Sequence, residues 1–290
     1  MKSLLVSSLL FSFITSAGQA GSEIYLFDMK VNNGQVILSG GMNITNHKGY
    51  DNQPFFHPSK PIIYYSSFND SGRSDIKYYD YKSGSATNLI VTQEREYSPT
   101  VTPDGQFISC VIQRDNGAQD LGKYPINGGS PEVLINNRVV GYHAWAAKDK
   151  LLLFVLDDTT RHTLRYYDLA KKTDTVLADN IGRSLHKIPG KNAMSFVQKI
   201  TDSASMIKSL DIPTLRIKPL IETVKGSDHL CWLNGNIILT SKGNQVFYYQ
   251  LNKKSSWHSV IVEGDTTMLK GVTRLAVNAS NTKLALVVSE

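Results

Sequence analysis

The sequence contains little cysteine and no long apolar run. Only Cys110 and Cys231 occur in 290 residues, so no disulfide framework is expected. Each lies within an apolar stretch, "FISCVI" or "HLCWL", where a thiol usually behaves as a small buried hydrophobe. No segment approaches the roughly 20 consecutive apolar residues that a membrane helix needs. We therefore expect two free thiols and no transmembrane segment.

The sequence also lacks a dense cationic stripe and the common catalytic motifs. Its formal net charge is +6, but its basic residues are not clustered with aromatic residues, so no nucleic-acid binding is expected. It contains no G-x-S-x-G, H-E-x-x-H, P-loop, G-x-G-x-x-G or C-x-x-C motif. Each of these motifs encodes a backbone geometry that its chemistry requires. An active site would therefore have to combine residues that are distant in the sequence.

The first 20 residues have the pattern of a secretory signal peptide. Lys2 supplies a positive charge, a short apolar stretch follows, and Gly18 and Ala20 stand at positions −3 and −1 of the expected cleavage point. No cysteine lies near that point, so no lipid anchor is expected. We predict that residues 1–20 are removed and that residues 21–290 form one exported domain, in the periplasm or outside the cell.

One phrase of the sequence recurs at a nearly fixed spacing. "QPFFHPSK" at residues 53–60 is echoed by "SPTVTPDG" at residues 98–105, and weaker copies follow. The turn inside this phrase recurs in steps of 45, 44, 42, 45 and 45 residues, at Pro58, Pro103, Ala147, Pro189, Asn234 and Ala279. A fixed period of about 45 residues is typical of repeat architectures such as propellers.

Each repeat unit has the pattern of four short strands. After the turn comes a run of apolar, β-branched or aromatic residues, such as "IIYYSS" or "LLLFVL". A polar hairpin turn, an alternating run such as "DIKYYDY" and a short last run such as "ATNLI" complete the unit. No segment longer than about ten residues carries the apolar stripe of a helix. Four antiparallel strands in about 45 residues are typical of one β-propeller blade.

The two ends of the chain divide one unit between them. The last unit, from Gly271, contains only two strands, and two further strand-like segments, "EIYLFDM" and "QVILS", stand near the N-terminus. A propeller closed by pairing its two ends requires this division, because closure removes exposed sheet edges. We therefore predict an all-β fold, a six-bladed β-propeller with four antiparallel strands per blade and a last blade built from both termini.

The repeated phrase resembles the TolB-type β-propeller repeat, a WD-repeat-like unit with a Pro-x-Phe-Ser-Pro-Asp-Gly-like sequence at its first hairpin. "SPTVTPDG" is the nearest copy, and the resemblance covers essentially all of residues 21–290. Proteins with this repeat include the periplasmic TolB of the Tol-Pal envelope system, propellers that cap prolyl-oligopeptidase-like hydrolases, and some sugar lyases. The chain has no room for the N-terminal domain of TolB or for a hydrolase domain, so we expect neither role.

The innermost strand of each blade lines the central channel, so its polar residues are the candidate ligand contacts. These candidates are Asp51, Glu96, His143, Arg183, His186, Asp228, His229 and Arg274. The three histidines are spaced by 43 residues, so neighbouring blades could each present one to Zn²⁺ or Mn²⁺, with Asp51 or Glu96 as an oxygen ligand. They are about one residue out of register, however, and such a slip reverses the face of a strand. We therefore expect no cofactor, and a divalent metal is the alternative.

These features predict a monomeric binding or scaffold protein, and we assign no catalytic residue. The rigid blades of a propeller hold variable loops on a broad surface, which suits recognition of an envelope or extracellular protein or glycan. The alternative is a channel-centred lyase or hydrolase, with or without a metal, that acts on an acidic oligosaccharide. In that alternative Asp51 and Glu96, on adjacent blades, would supply the acid and the base.

Overall fold

The computed structural model describes residues 20–157, 162–253 and 256–290. All regular secondary structure in these residues is β-strand. The predicted signal peptide lies outside the described residues, apart from Ala20. In the described part of the chain, no helix is long and apolar enough to cross a membrane.

The described residues contain 25 strands, numbered in chain order. The first ten are β1 Ser22–Asn32, β2 Gln35–Asn43, β3 Asp51–Phe56, β4 Ile62–Phe68, β5 Ser74–Asp80, β6 Ser85–Ile90, β7 Arg95–Val101, β8 Phe107–Gln113, β9 Gln119–Pro125 and β10 Glu132–Ile135. The next eight are β11 Val140–Ala147, β12 Lys150–Leu156, β13 His162–Asp168, β14 Thr173–Ala178, β15 Ile181–Lys187, β16 Ala193–Lys199, β17 Ser205–Asp211 and β18 Ile217–Glu222. The last seven are β19 Leu230–Asn234, β20 Ile237–Lys242, β21 Gln245–Gln250, β22 His258–Ser259, β23 Ile261–Val262, β24 Leu275–Val277 and β25 Lys283–Ser289.

The strands form six sheets, and in five of them four consecutive strands pair in order. Blades one to five are β3 to β6, β7 to β10, β11 to β14, β15 to β18 and β19 to β22. Neighbouring strands within each blade are antiparallel. The first strands of all six blades contact one another in sequence, from β3 through β7, β11, β15 and β19 to β24 and back to β3. They therefore form a closed inner ring.

The sixth blade joins the two ends of the chain. Its order is β24, β25, β1 and β2, and β1 pairs antiparallel with β25 from Ser22 opposite Ser289 to Asp28 opposite Lys283. The short β23 adds to the outer edge of this blade, parallel to β2. The predicted six-bladed propeller with a last blade built from both termini is confirmed, and the additional outer strand was not predicted.

The core is divided among the six interfaces between neighbouring blades. Successive side chains of a strand point to opposite faces, so a strand buried on both faces serves two interfaces. In β8, Cys110 joins the cluster that contains Ile76 of blade one, whereas Val111 joins the cluster that contains Leu153 of blade three. Each buried side chain of this kind stabilises the fold by about 1.5–3 kcal/mol. This is why the second strand of each blade is a continuous apolar run.

Both cysteines are buried and free, as the sequence predicted. Cys110 lies in β8 of blade two, and Cys231 lies in β19 of blade five. Burial raises the pKa of both thiols. Neither is therefore the thiolate that nucleophilic catalysis or metal binding requires.

Candidate functional site

A cavity of about 630 Å³ lies within the ring of innermost strands. All six blades contribute to its wall, with residues of β3, β7, β11 and β15 and residues at the start of β19 and β24. The turns that follow β3 and β7 extend this wall with Pro58 and Pro103. Cavities of about 300–1,000 Å³ are typical of small-molecule sites. The repeated phrase thus forms part of a ligand-sized cavity as well as the blade architecture.

The structure places five of the eight candidate residues in the cavity wall: His143, Arg183, His186, His229 and Arg274. Asp51, Glu96 and Asp228 are not part of the wall. Each of these three carboxylates precedes the nearest cavity-lining residue of its own blade by one or two positions. They therefore lie towards the N-terminal ends of the innermost strands, on the side of the wall opposite the turns that follow β3 and β7. That any candidate binds a ligand stays a prediction.

The Asp51 and Glu96 side chains are enclosed by protein, with 1% and 0% of their surface exposed. Glu96 accepts hydrogen bonds from Thr92 Oγ1 at 2.6 Å and from the Tyr124 hydroxyl at 2.8 Å, and burial raises its pKa. Neither oxygen of Asp51 has a hydrogen-bond partner among the described residues, and burial raises its pKa to about 6. The acid and base of a glycoside hydrolase must flank the substrate. These two buried groups lie outside the cavity and do not form such a pair.

Arg274 reaches from blade six across the cavity to blade three. Its Nη2 donates a hydrogen bond to the Tyr142 hydroxyl at 2.8 Å, and its Cζ lies 4.9 Å from the centroid of the Tyr142 ring. A guanidinium group carries five N–H donors. The single protein hydrogen bond of Arg274 therefore leaves most of its donors free within the described structure.

Arg183 is the second guanidinium group of the cavity wall. Within the described residues, neither Arg183 nor Arg274 pairs with a carboxylate, and Arg183 has no side-chain hydrogen bond. Asp104 is the carboxylate that the described wall does contain, and it accepts hydrogen bonds from the Thr102 hydroxyl at 2.6 Å and the Gln106 backbone N–H at 3.0 Å. The wall thus carries fixed positive charge on Arg183 and Arg274 that no carboxylate of the described residues neutralises by an ion pair.

His186 and His229, which share the cavity wall with these cations, are uncharged at neutral pH. Burial and the charge of Arg274 lower the pKa of His186 to about 4. Burial, with the charges of Arg274 and Arg183, also lowers the pKa of His229. His186 Nε2 lies 3.0 Å from Ser184 Oγ, whereas the His229 ring has no hydrogen bond within the described residues. His229 therefore presents a free donor and a free acceptor to the cavity.

The hydrogen bonds of Ser109 fix the tautomer of His143. His143 Nε2 lies 2.8 Å from Ser109 Oγ, which also accepts the Trp145 Nε1–H at 2.9 Å and donates to the Thr100 carbonyl oxygen at 3.1 Å. Ser109 has only one hydroxyl proton, so while it donates that proton to the Thr100 carbonyl, His143 donates from Nε2 and carries a bare Nδ1. Burial lowers the pKa of His143 to about 3. This neutral ring thus joins blade three to blade two.

The cavity does not fit the metal centre that was the alternative prediction. In the described part of the chain, no three His, Cys, Asp or Glu side chains lie together as a metal site would require. His143 is hydrogen-bonded to the neighbouring blade, His186 is under the influence of the Arg274 charge, and His229 is under the influence of the Arg274 and Arg183 charges. These fixed positive charges oppose binding of a divalent cation. The residues present suit an anion better than a metal ion.

Gln53 and Ser98 line the cavity but were not predicted as candidates. Both lie at β-bulges, and both have a positive φ, 59° for Gln53 and 56° for Ser98. Gln53 Oε1 accepts the Ser98 backbone N–H at 2.6 Å and the Ser66 hydroxyl at 2.9 Å. Such backbone strain is concentrated at functional sites. The signal in the sequence was the Gln-Pro and Ser-Pro pair, with Pro54 and Pro99 at the same position of the repeat.

No protein-family model matches the sequence, and no curated protein is significantly similar to it. Solved structures do match. A protein assigned as TolB from Agrobacterium tumefaciens has a TM-score of 0.67 and 12% identity, over 94% of this chain and 99% of that chain. TolB from Acinetobacter baumannii has a TM-score of 0.58 and 14% identity, over 92% of this chain and 63% of that chain. This chain has the fold of the TolB-type propellers.

The predicted resemblance is thereby confirmed for the fold. A third match, an oligogalacturonate lyase in complex with manganese, has a TM-score of 0.59 and 14% identity, over 89% of this chain and 81% of that chain. At such identities the likeness shows the shared fold alone, and one fold carries many functions. The function of this chain has to be argued from the residues of its own cavity.

Proposed function

We propose that this chain is a monomeric, exported binding protein that recognises a protein or glycan partner through the central cavity and the propeller face around it. The observation that carries the proposal is the set of unpaired polar groups in the cavity wall. Apart from the bond of Arg274 to the Tyr142 hydroxyl, the side-chain donors of Arg183, Arg274 and His229 have no partner among the described residues. In a preformed cavity such groups bind water until a ligand replaces it, and they give a ligand its orientation and specificity.

Export is supported by the signal-peptide pattern of residues 1–20. The partner would accordingly be a molecule of the envelope or of the extracellular space. A propeller suits this role because its blades are rigid and its loops lie together on two broad faces. The cavity adds a second element of recognition, since a side chain or sugar unit of the partner can enter it.

A lyase or hydrolase that acts on an acidic oligosaccharide is the second candidate. One observation favours it, the fold shared with an oligogalacturonate lyase. The cavity wall argues against it, because no pair of carboxylates lines the described wall and the fixed, neutral His143 is already engaged by Ser109. The binding function accounts for the unpaired donors without a catalytic pair, so we prefer it.

Filling the cavity tests the proposed function. Thr100 lines the cavity on β7, and Thr100→Trp places a large ring in the space available to a ligand. We expect the wild-type protein to bind a polysaccharide or an envelope protein saturably and without turnover, with or without added Mn²⁺ or Zn²⁺. We expect Thr100→Trp to weaken this binding at least about tenfold, a loss of about 1.4 kcal/mol. Biolayer interferometry measures the binding, and release of reducing or unsaturated sugar ends measures turnover.

The matched control is Thr87→Trp, at an exposed position of the outer strand β6. It is expected to leave binding unchanged, and thermal unfolding of both variants checks that they are folded. If the wild-type protein shows turnover and Thr100→Trp abolishes it, the lyase or hydrolase replaces the binding protein as the proposed function. Binding that persists in Thr100→Trp would place the partner elsewhere on the propeller.

A further inference from the structure

We propose that the central cavity is a carboxylate-binding site in which Arg183 and Arg274 pair with a small organic acid. The proposal rests on the proposed function, since it names the chemical group that the cavity recognises. It begins with two guanidinium groups in one cavity wall, neither of which has a carboxylate partner among the described residues. Arg183 is exposed to the open cavity and Arg274 is half-buried in its wall, so both charges are accessible to a ligand of opposite charge.

The two guanidinium groups act on the same neighbours. Both lower the pKa of His229, and both oppose the burial that raises the pKa of Tyr50. Arg183 of blade four, His229 of blade five and Arg274 of blade six all line the cavity, on three consecutive blades. Two like charges in this arrangement repel each other. An anion placed between them offsets that repulsion, because both guanidinium groups attract it.

The geometry of Arg274 favours a carboxylate over other anions. Its guanidinium group lies over the Tyr142 ring, with Cζ 4.9 Å from the ring centroid. Its Nη2 also donates to the hydroxyl of the same tyrosine, and a planar carboxylate can accept two of the remaining in-plane N–H groups at once. Phosphate sites usually add backbone N–H groups from a helix N-terminus or a glycine-rich loop. The described cavity wall contains neither, because it is built from strands and hairpin turns.

The remainder of the wall suits the body of a small molecule. Phe55, Pro99, Trp145 and Leu185 contribute apolar and aromatic surface, and the Trp145 ring is fixed by its hydrogen bond to Ser109 Oγ. His229 offers a further donor and acceptor beside the two cations. A cavity of about 630 Å³ accommodates one or two rings together with the charged group. The ligand class is therefore a small organic acid with a ring.

Matched pairs of acids and neutral analogues test the proposal by isothermal titration calorimetry at pH 7 and low salt. The first pair is D-galacturonate and D-galactose, and the second is benzoate and benzyl alcohol. We expect the acid of at least one pair to bind, at least about tenfold more tightly than its neutral analogue. The pair that responds shows whether the ring is a sugar or an aromatic group. We expect Arg183→Gln to weaken binding of that acid at least about tenfold and the double Arg183→Gln/Arg274→Gln variant to abolish it.

The control variant is Arg216→Gln, because Arg216 is exposed near β18 and has no ion pair within the described residues. It is expected to bind the acid as the wild-type protein does. Three results would overturn the proposal: equal binding of acid and neutral analogue, no acid binding up to about 10 mM, or an affinity that Arg183→Gln leaves unchanged. Inorganic phosphate that binds when neither acid does would also overturn it.

The proposed function and the carboxylate site can fail separately. If Thr100→Trp blocks a protein or neutral glycan while neither acid binds, the binding function stands and the carboxylate site fails. If an acid binds in an Arg183-dependent manner while no protein or glycan partner is found, the carboxylate site stands and the larger partner is excluded.

Discussion

Asp51 is a residue whose charged form the folded chain disfavours. Its side chain is 1% exposed, neither oxygen has a hydrogen-bond partner among the described residues, and His47 Nδ1 is 3.5 Å from Oδ2. Burial raises the pKa of Asp51 to about 6. The nearby Ser67 hydroxyl, His47 and Lys77 oppose this rise, and Glu23 adds to it. Above pH 6 the folded protein therefore holds a poorly solvated negative charge between the first and sixth blades.

This placement predicts how stability changes with pH. Between about pH 4 and pH 6 the folded protein keeps a proton on Asp51 that the unfolded chain has lost, so the contribution of Asp51 to stability falls as the pH rises. We expect Asp51→Asn to raise the free energy of unfolding by about 2 kcal/mol at pH 8 and to change it little at pH 4. Urea unfolding at the two pH values measures the difference.

Asp70→Asn, at an exposed position of the hairpin between β4 and β5, is the control for this prediction. Its effect is expected to stay within about 0.5 kcal/mol at both pH values. A gain of equal size at pH 4 and pH 8 in Asp51→Asn would show that the buried charge is not its cause.

Among the elements, the blades were predictable because their signals are local. Hairpin turns and period-two runs identify strands one at a time, and the recurrence of the turn gives the number of blades. The strand pairing of the two chain ends followed from counting strands in the last unit. The outer strand β23 was not predictable, since Ile261 and Val262 alone carry no pattern.

The cavity wall was less predictable because its strands contain bulges. β3, β7 and β11 each have an irregularity in their pairing with the second strand of the blade. A bulge inserts one residue and ends the simple alternation of faces. Selecting the polar residues of the innermost strands placed Asp51 and Glu96 in the wall, whereas the folded strands bring Gln53, Ser98 and Tyr142 to it. Cross-cavity contacts, such as that of Arg274, depend on the closed ring and have no local signal.

The bulge at Gln53 predicts an inverted order of stability for two small residues. Gln53→Ala and Gln53→Gly both lose the acceptor for the Ser98 backbone N–H and the Ser66 hydroxyl. The φ of 59° is strained for alanine but not for glycine. We therefore expect Gln53→Gly to be more stable than Gln53→Ala by about 1 kcal/mol in urea unfolding.

Thr175, on the exposed strand β14, provides the comparison with ordinary strand backbone. There we expect the opposite order, with Thr175→Gly less stable than Thr175→Ala by about 0.5–1 kcal/mol. If Gln53→Ala proved as stable as Gln53→Gly, the bulge would not impose the left-handed backbone on the protein in solution.

The whole molecule is a ring that depends on the pairing of β1 with β25. Closure leaves no blade with a free inner face, because each first strand contacts the first strands on both sides. Leu286 of β25 is fully buried in the cluster that also contains Leu239 of blade five and Leu38 of β2. Opening the ring at this blade would expose apolar faces of two blades at once. We therefore expect the six blades to unfold as one cooperative unit.

The tryptophans report on this cooperativity from outside the sixth blade. Trp145 lies in β11 and Trp232 in β19, and Trp257 directly precedes β22. Leu286→Ala removes buried side-chain volume from the sixth blade and is expected to lower the free energy of unfolding by about 2–5 kcal/mol. We expect tryptophan fluorescence and far-UV circular dichroism to shift together to a lower urea concentration, because coincident transitions are the mark of two-state unfolding.

The control is Val91→Ala, at a position that is 61% exposed between blades one and two, and it should change the unfolding midpoint little. If circular dichroism is lost before the fluorescence changes, the sixth blade unfolds alone and the ring is not the cooperative unit.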